Sequence, residues 1–225
     1  MGLHCSSCSP RGIRDRVASV YRPVCILVAV TVFPPTAPAR ERILVTAGRL
    51  FYTEGIRAVG IDRVIAEAGV AKATLYAHFA SKDELVVAYL QHVDEIWRAE
   101  LRAAAVAAGD DPRAQLVGVF DAVRSACARE GYAGCGFLNA ASEYRAGTAP
   151  RQIAIDHKAR VRTWLTGVAE RAGAIEPDLL AGQLAVLLDG ALADTALEGD
   201  DSPARQAQSA AVLLVAAACA DRASA

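Results

Sequence analysis

Aromatic residues are scarce in this sequence, at 6% of 225 residues. No strand-like alternation of β-branched residues persists beyond about the first 37 positions. Apolar residues nevertheless make up 53% of the chain, with alanine and leucine leading. This composition favours helices packed on helices, and the length suits one or two domains with a substantial core. We therefore expect an all-α fold.

The motifs that carry enzymatic chemistry are also missing. The sequence has no serine elbow, no phosphate-binding glycine loop, no HExxH and no pairing of a nucleophile with a base. Its six cysteines are scattered, and Cys5 and Cys8 have no second cysteine or histidine pair at zinc-finger spacing. We expect reduced thiols, with Cys127 and Cys219 as small core residues, and we expect no metal, no cofactor and no enzymatic activity.

Neither sign of charge dominates the chain, whose net charge is −1. Between Arg40 and Lys82, however, seven arginines and lysines stand against four acids, an excess of +3. This excess is local and does not make a basic domain. Affinity for DNA would therefore depend on a few placed phosphate contacts and on dimerisation.

The first 36 residues do not share the helical pattern of the rest. Several arginines precede an apolar run from Val24 to Phe33, an order that imitates a secretory signal. That run of 10 residues is too short to cross a bilayer as a helix, and we expect no membrane segment. We predict that residues 1–36 form a disordered extension and that translation begins near Val28 or Val30. An exported helical protein is kept as a separate hypothesis.

The stretch from Ile61 to Phe79 predicts two short helices joined by a glycine turn. Apolar residues recur at helical spacing in its first half, and Gly69 then ends the helix. Leu75 and Phe79 lie four positions apart on the buried side of the second helix. Its other faces carry Lys72, Ala73, Thr74, Tyr76, Ala77 and His78. This pattern is typical of a helix-turn-helix, whose second helix fits the major groove of DNA.

This stretch and its flanks resemble the TetR (tetracycline-repressor) family of bacterial transcriptional regulators. The resemblance covers about Arg40 to Leu101 and is carried by AGRLF…G and IAxAGVxKxTLYxHFxSKxEL in register. It implies a cytoplasmic protein with a three-helix DNA-binding head over residues 37–97. It also implies a helical ligand-binding and dimerisation domain over residues 98–225.

The resemblance further implies a repressor that binds a pseudo-palindromic double-stranded operator as a homodimer and leaves it when a small-molecule effector binds. The residues that it places on DNA are Arg63, Lys72, Ala73, Thr74, Tyr76, His78 and Lys82. Gly60 and Ala71 depart from the family pattern because each lacks a hydroxyl that could cap a helix, typically worth about 0.5–2 kcal/mol. The alternative function is a helical ligand-binding or scaffolding dimer whose head no longer binds DNA.

Around this motif, helical spacing and chain breakers predict seven further helices. They are expected at Pro38–Glu54, Ser81–Ala107, Pro112–Glu130, Phe137–Tyr144, Arg151–Ala172, Pro177–Leu197 and Pro203–Asp221. A capping box of Ser81 and Glu84 starts the second of these. The last two carry more apolar surface than a single stripe, which predicts that they pair with their symmetry mates in a dimer. Complete burial within one subunit is the alternative.

Candidate lining residues for an effector lie in the second domain. They are Phe120, Phe137, Asn139, Glu143, His157 and Trp164. Asn139 and Glu143 lie one turn apart, so they either face a pocket together or tie their helix to a neighbour. Phe120 and Trp164 are also typical of a plain core. The lining predicts an effector that is at least partly apolar, but its identity is not specified by the sequence.

Overall fold

The computed structural model describes residues 38–220, which form ten α-helices and no strand. The helices are α1 Ala39–Glu54, α2 Ile61–Ala68, α3 Lys72–His78, α4 Lys82–Ala107, α5 Pro112–Gly118, α6 Phe120–Cys127, α7 Gly136–Glu143, α8 Ala149–Arg171, α9 Pro177–Glu198 and α10 Ser202–Ala218. The all-α prediction is confirmed. The extension predicted over residues 1–36 lies outside the described residues.

The head consists of α1, α2 and α3 packed around one small core. Their fully buried side chains include Ile43, Ala47, Leu50, Val64 and Leu75. Gly55 ends α1 with a φ of 89°, and Gly69 separates α2 from α3 with a φ of 61°. Both values lie in the region that favours glycine, so each turn requires this residue type. The compact helix-turn-helix follows from these two turns.

The start of α4 has the predicted capping box. Ser81 Oγ accepts a hydrogen bond from the Glu84 N–H at 3.1 Å, and the Glu84 carboxylate accepts one from the Ala80 N–H at 2.7 Å. Two backbone donors at the helix start are thereby satisfied. The helix then continues for 26 residues, so it crosses the predicted domain boundary at residue 97 and is shared by both domains.

The single helix predicted over Pro112–Glu130 is wrong, because the helix is interrupted at Val119 and the chain forms α5 and α6 instead. Gly118 lies so close to the end of α4 that a Cβ on it would stand 2.5 Å from the Cβ of Ala108. The backbone of Val119 keeps a helical conformation, with φ −58° and ψ −25°. The close approach at Gly118 lies next to the interruption, and the periodicity of the sequence does not show it.

The remaining helices pack with α4 into a helical body. Arg113 on α5 joins two of their carboxyl ends, because it donates to the carbonyl of Ala172 at 3.3 Å and to that of Cys219 at 2.7 Å. These residues cap α8 and α10. Carbonyl groups at helix ends lack partners within the helix, so one side chain satisfies both ends.

The cysteines of residues 38–220 are free thiols. Cys219 and Cys135 are buried, whereas Cys127 is only half-buried and is not the core residue that we expected. In this part of the chain, no group of three or more His, Cys, Asp or Glu side chains is placed to hold a metal ion.

Within the described ranges, α9 is the one helix with the length and composition of a membrane span. Its mean hydropathy reaches 1.3, and 39% of its most apolar stretch is buried inside the protein. Core helices of soluble proteins share these properties, so this helix is weak support for a membrane segment.

Candidate nucleic-acid interface

The recognition helix α3 presents an exposed face on a buried anchor. Leu75 and Phe79 are 0% and 2% exposed, respectively, and attach the helix to the head. Tyr76, by contrast, is 45% exposed. Lys72, Ala73, Ala77 and His78 are exposed with it, and Thr74 is half-buried. A short helix held in this way leaves its outer side chains free to enter a major groove.

Lys72 lies at the first position of α3 and is well exposed. Its Nζ is 3.5 Å from the Asp62 carboxylate, and the two side chains are 67% and 88% exposed. Ion pairs of this kind contribute little to stability, because water and salt screen them. The ammonium of Lys72 can therefore exchange Asp62 for a phosphate at small cost.

Arg63 differs from the expectation, because its guanidinium is engaged within the head. It donates to a Glu54 oxygen at 2.8 Å and to a Glu67 oxygen at 2.9 Å. The hydrogen bonds from Glu54 and Glu67 raise the pKa of Arg63. Arg49 also pairs with Glu67. Arg63 thus joins the end of α1 to α2, and a contact with DNA would compete with these carboxylates.

Lys82 lies at the start of α4, and its side chain is half-buried instead of fully exposed to solvent. Its Nζ lies 6.0 Å from the centroid of the Phe51 ring. Burial lowers the pKa of Lys82, while the nearby carboxylates of Glu143 and Asp83 oppose that change. These groups explain a cation in the first turn of a helix, where the helix dipole is unfavourable for it.

Arg40 is not among the residues predicted to contact DNA. Its guanidinium lies 5.2 Å from the centroid of the Phe79 ring, at the carboxyl end of α3. Arg40 is exposed and stands in the first turn of α1, where a cation again opposes the helix dipole. A basic residue in that position is the signal that could have identified it as a candidate phosphate contact.

The second group of predicted residues lies in the body, where Phe137 and His157 stack face to face. Their ring centroids are 3.6 Å apart and their planes are inclined by 6°. His157 Nδ1 is 2.6 Å from the carboxylate of Asp94, which is 5% exposed. Arg98 and Arg160 each approach the same carboxylate to 3.2 Å. This network joins α4, α7 and α8.

Two small cavities flank Trp97, which is not among the predicted lining residues. One is lined by Cys135 and Phe137 and the other by His157 and Lys158, and each has a volume of about 20 Å³. Such a volume holds one water molecule, whereas pockets for small molecules have about 300–1,000 Å³. Neither of these two cavities therefore has room for a small molecule in this structure. Trp97 could not be singled out because the periodicity of α4 marks it only as apolar.

The other predicted lining residues lie apart from these cavities. Phe120 is completely buried and Trp164 is half-buried against the core. Asn139 is exposed and donates to the carbonyl of Ala133 at 2.8 Å. The carboxylate of Glu143 accepts hydrogen bonds from the head, at the N–H groups of residues 56 and 57. Asn139 and Glu143 therefore do not face one pocket, and Glu143 has the alternative role of a tie.

The buried His157 predicts a pH dependence of stability. Burial lowers its pKa from 6.5 to about 4, although the hydrogen bond with Asp94 opposes this change. In the unfolded chain, the imidazole of His157 binds a proton below about pH 6.5, whereas in the folded chain it binds one only below about pH 4. The free energy of unfolding should therefore fall as the pH falls through this range, by up to about 3 kcal/mol from this residue. Urea unfolding of the wild type and of H157Q at several pH values measures this pH dependence. Equal pH slopes for both proteins would contradict the assignment.

Helices α2 and α3, packed on α1, define a helix-turn-helix protein. A profile of the family described as bacterial regulatory proteins, tetR family, matches residues 43–89. The HTH-type transcriptional activator FasR of Mycolicibacterium smegmatis is 43% identical over 63 residues, which are 28% of this chain and 29% of that protein. The uncharacterized HTH-type transcriptional regulator YxaF of Bacillus subtilis is 37% identical over 59 residues, 26% of this chain and 31% of that protein. The chain thus spans about a third of the length of these curated relatives.

Solved structures match over most of the described chain. A TetR-family transcriptional regulator from Streptomyces coelicolor is 34% identical with a TM-score of 0.70, over 80% of this chain and 94% of that chain. A TetR transcriptional regulator from Streptomyces avermitilis is 31% identical with a TM-score of 0.70, over 81% of this chain and 98% of that chain. The chain belongs to the TetR family, as the sequence predicted. Regulators of this family are generally non-enzymatic DNA-binding proteins.

Proposed function

We propose that the protein is a transcriptional regulator that binds a pseudo-palindromic DNA operator as a homodimer in the cytoplasm. The observation that carries the proposal is α3, an exposed polar helix anchored by the fully buried Leu75 and lying within the family motif. In a helix-turn-helix, the first residues of such a helix contact base edges. Ala73, Thr74, Tyr76 and His78 are the proposed groove contacts, and Lys72, at the first position of α3, is a proposed phosphate contact.

Two further phosphate contacts are proposed near the carboxyl end of this helix. Arg40 lies against the ring of Phe79 at one end of α3, and Lys82 follows the other residues of the motif at the start of α4. Phosphate contacts fix the register of a protein on the duplex without selecting a sequence. Arg63, which is held by Glu54 and Glu67, is assigned instead to the orientation of α2 on α1.

The proposed dimer interface lies on the outer side of α9 and α10. Leu184 and Leu188 of α9 are 0% and 3% exposed and pack into their own subunit. A different set of apolar side chains stays exposed on these helices: Leu179, Val186, Leu197, Val212 and Leu213. An open and largely apolar groove of about 830 Å³ runs along α9, with Leu214 of α10 and Arg162 of α8 at its edges. An exposed apolar surface of this kind is typical of protein interfaces.

The proposed effector site lies between α4, α7, α8 and α9, around Trp97. The two cavities there are lined by mainly apolar side chains, together with His157 and the ion pair of Lys158 with Asp189. Because each cavity holds only about 20 Å³, an effector has to open the body before it binds. A ligand that prefers the opened body changes operator affinity by its differential affinity for the two states.

We assign the protein the role of a repressor that the effector releases. FasR, which is 43% identical within the head, is an activator, so the head alone does not determine the sign of regulation. The release mechanism depends instead on the small cavities of the body, because opening them has to displace helices that contact the head.

The test is a genome-wide binding experiment with the purified protein in the absence of effector. Fragments of genomic DNA are captured by the protein, sequenced and compared with fragments captured by a K72A/Y76A variant. The proposal expects a few sites that contain two inverted half-sites and that the variant loses. Failure to enrich any site would favour the alternative, a helical dimer whose head does not bind DNA. Equal enrichment by the variant would show that Lys72 and Tyr76 do not make the contacts assigned to them.

A further inference from the structure

The segment that leads into α7 is hydrogen-bonded to the head through Tyr52. The Tyr52 hydroxyl donates to the carbonyl of Gly134 at 2.8 Å and accepts from the N–H of Ala133 at 2.9 Å. Tyr52 is 4% exposed, and burial raises the pKa of its hydroxyl, so the group remains protonated. Buried hydrogen bonds of this kind are costly to leave unmade. One side chain of α1 thus fixes the amino end of α7.

The carboxyl end of α7 is fixed to the head by Glu143. Its two carboxylate oxygens accept from the N–H of Ile56 at 2.8 Å and from the N–H of Arg57 at 2.6 Å. Both donors belong to the loop between α1 and α2, directly after Gly55. With its φ of 89°, Gly55 turns this loop so that Glu143 Oε1 lies 3.5 Å from the place of its missing Cβ. Hydrogen bonds to an ionised carboxylate are among the stronger ones.

A further bond joins the residue after α7 to α4. Tyr144 donates its hydroxyl to the carboxylate of Asp83 at 2.8 Å, next to Lys82. Asp83 stands in the first turn of α4, which follows α3 in the chain. Helix α7 and the residues that flank it are therefore attached at three places: to α1, to the α1–α2 loop and to the first turn of α4.

From this geometry we propose that Glu143 is a positioning residue for operator binding. It fixes the α1–α2 loop, and with it the orientation of the head on the body, so that the two heads of a dimer keep one spacing. The inference rests on the proposed function, since it concerns how that function is performed. Glu143 does not touch DNA in this account, and it acts through Ile56 and Arg57.

Residues near the start of α7 connect the bonds of Glu143 to the cavities of the body. Phe137, one turn and a half before Glu143, stacks on His157, and Cys135 lines the same cavity as Phe137. Opening that cavity displaces the helix that carries Glu143. The route to the head then includes the α1–α2 loop in addition to α4, and a short rigid helix transmits the displacement.

The test compares E143A and E143Q with S142A as the matched control. Ser142 is exposed on the same helix and bonds only to the carbonyl of Asn139, so its substitution leaves the tie intact. Three quantities are measured for each variant: hydrogen exchange at the amides of Ile56 and Arg57, affinity for a full operator, and affinity for an isolated half-site. E143Q keeps one accepting oxygen without the charge.

We expect E143A to exchange both amides faster and to bind the full operator about 10-fold more weakly, while half-site affinity stays unchanged. E143Q should fall between E143A and the wild type, and S142A should match the wild type. A variant that has lost the fold of the head would lose half-site affinity as well. Full-operator affinity that is unchanged or tighter in E143A overturns the positioning role. If the wild type itself binds no operator, it is the proposed function that fails.

Discussion

Replacing Val186 by glutamate should convert the protein from a dimer to a monomer. Val186 is 71% exposed in the single chain and lines the apolar groove along α9. In a two-fold dimer each substitution occurs twice at the same interface. Burial of two unpaired carboxylates costs on the order of 4 kcal/mol, which raises the dimer dissociation constant about 1,000-fold.

Val106 provides a matched control for this substitution. It is also 71% exposed, but it lies on α4, outside the proposed interface. Analytical ultracentrifugation over a range of protein concentrations should show V106E as a dimer and V186E as a monomer. Equal sedimentation of both variants as dimers would place the interface elsewhere. The monomer should retain its fold, because Val186 contributes little buried area within its own subunit.

The K72A/Y76A variant should lose operator affinity by on the order of 100- to 1,000-fold. Each of the two substitutions occurs in both subunits of the dimer, so four contacts with DNA are lost. Contacts of this kind contribute about 1 kcal/mol or more each. Neither substitution should affect folding, since Lys72 has only an exposed partner and Tyr76 is 45% exposed.

Salt dependence separates the contribution of the charge. Each lost phosphate contact lowers the slope of log affinity against log salt by about 0.9, so K72A should lower the slope of the dimer by about 1.8. Fluorescence anisotropy between 50 and 200 mM salt measures this slope. R102A is the control, because Arg102 is exposed on α4 away from the head. An equal decrease of the salt slope in R102A would show that only the net charge of the protein determines it.

The head could be predicted because its information is local in the sequence. Gly69, the spacing of Leu75 and Phe79, and the Ser81 capping box all lie within 20 residues and determine consecutive turns. Helix ends were predicted to within a few residues where a glycine, a proline or a cap marks them. The interruption at Val119 was missed because it lies next to the packing of Gly118 on Ala108, a contact between residues of different helices.

The ties between head and body could not be predicted for the same reason. Glu143 and Ile56 are 87 positions apart, and Tyr52 and Gly134 are 82 positions apart. A helical wheel shows that Glu143 is a polar residue near a helix end, but not which backbone groups it will meet. The same limit applies to Arg63, whose partner Glu54 lies across the loop between α1 and α2.

The dimer surface illustrates a related limit. The apolar excess of α9 is visible in its composition, which is why an interface was predicted there. Periodicity does not determine which stripe faces the core, since leucine and alanine occur all around the helix. The structure directs Leu184 and Leu188 inward and leaves Leu179 and Val186 exposed.

Hydroxyl-radical footprinting of the purified dimer on a captured genomic site tests the central claim most directly. The account predicts two protected half-sites related by a two-fold axis, with centres about 34–36 Å or a multiple of that distance apart. Y76A should lose protection of both halves together. A protected region without two-fold symmetry, or protection that survives in Y76A, would contradict the claim that α3 reads DNA in a symmetric pair.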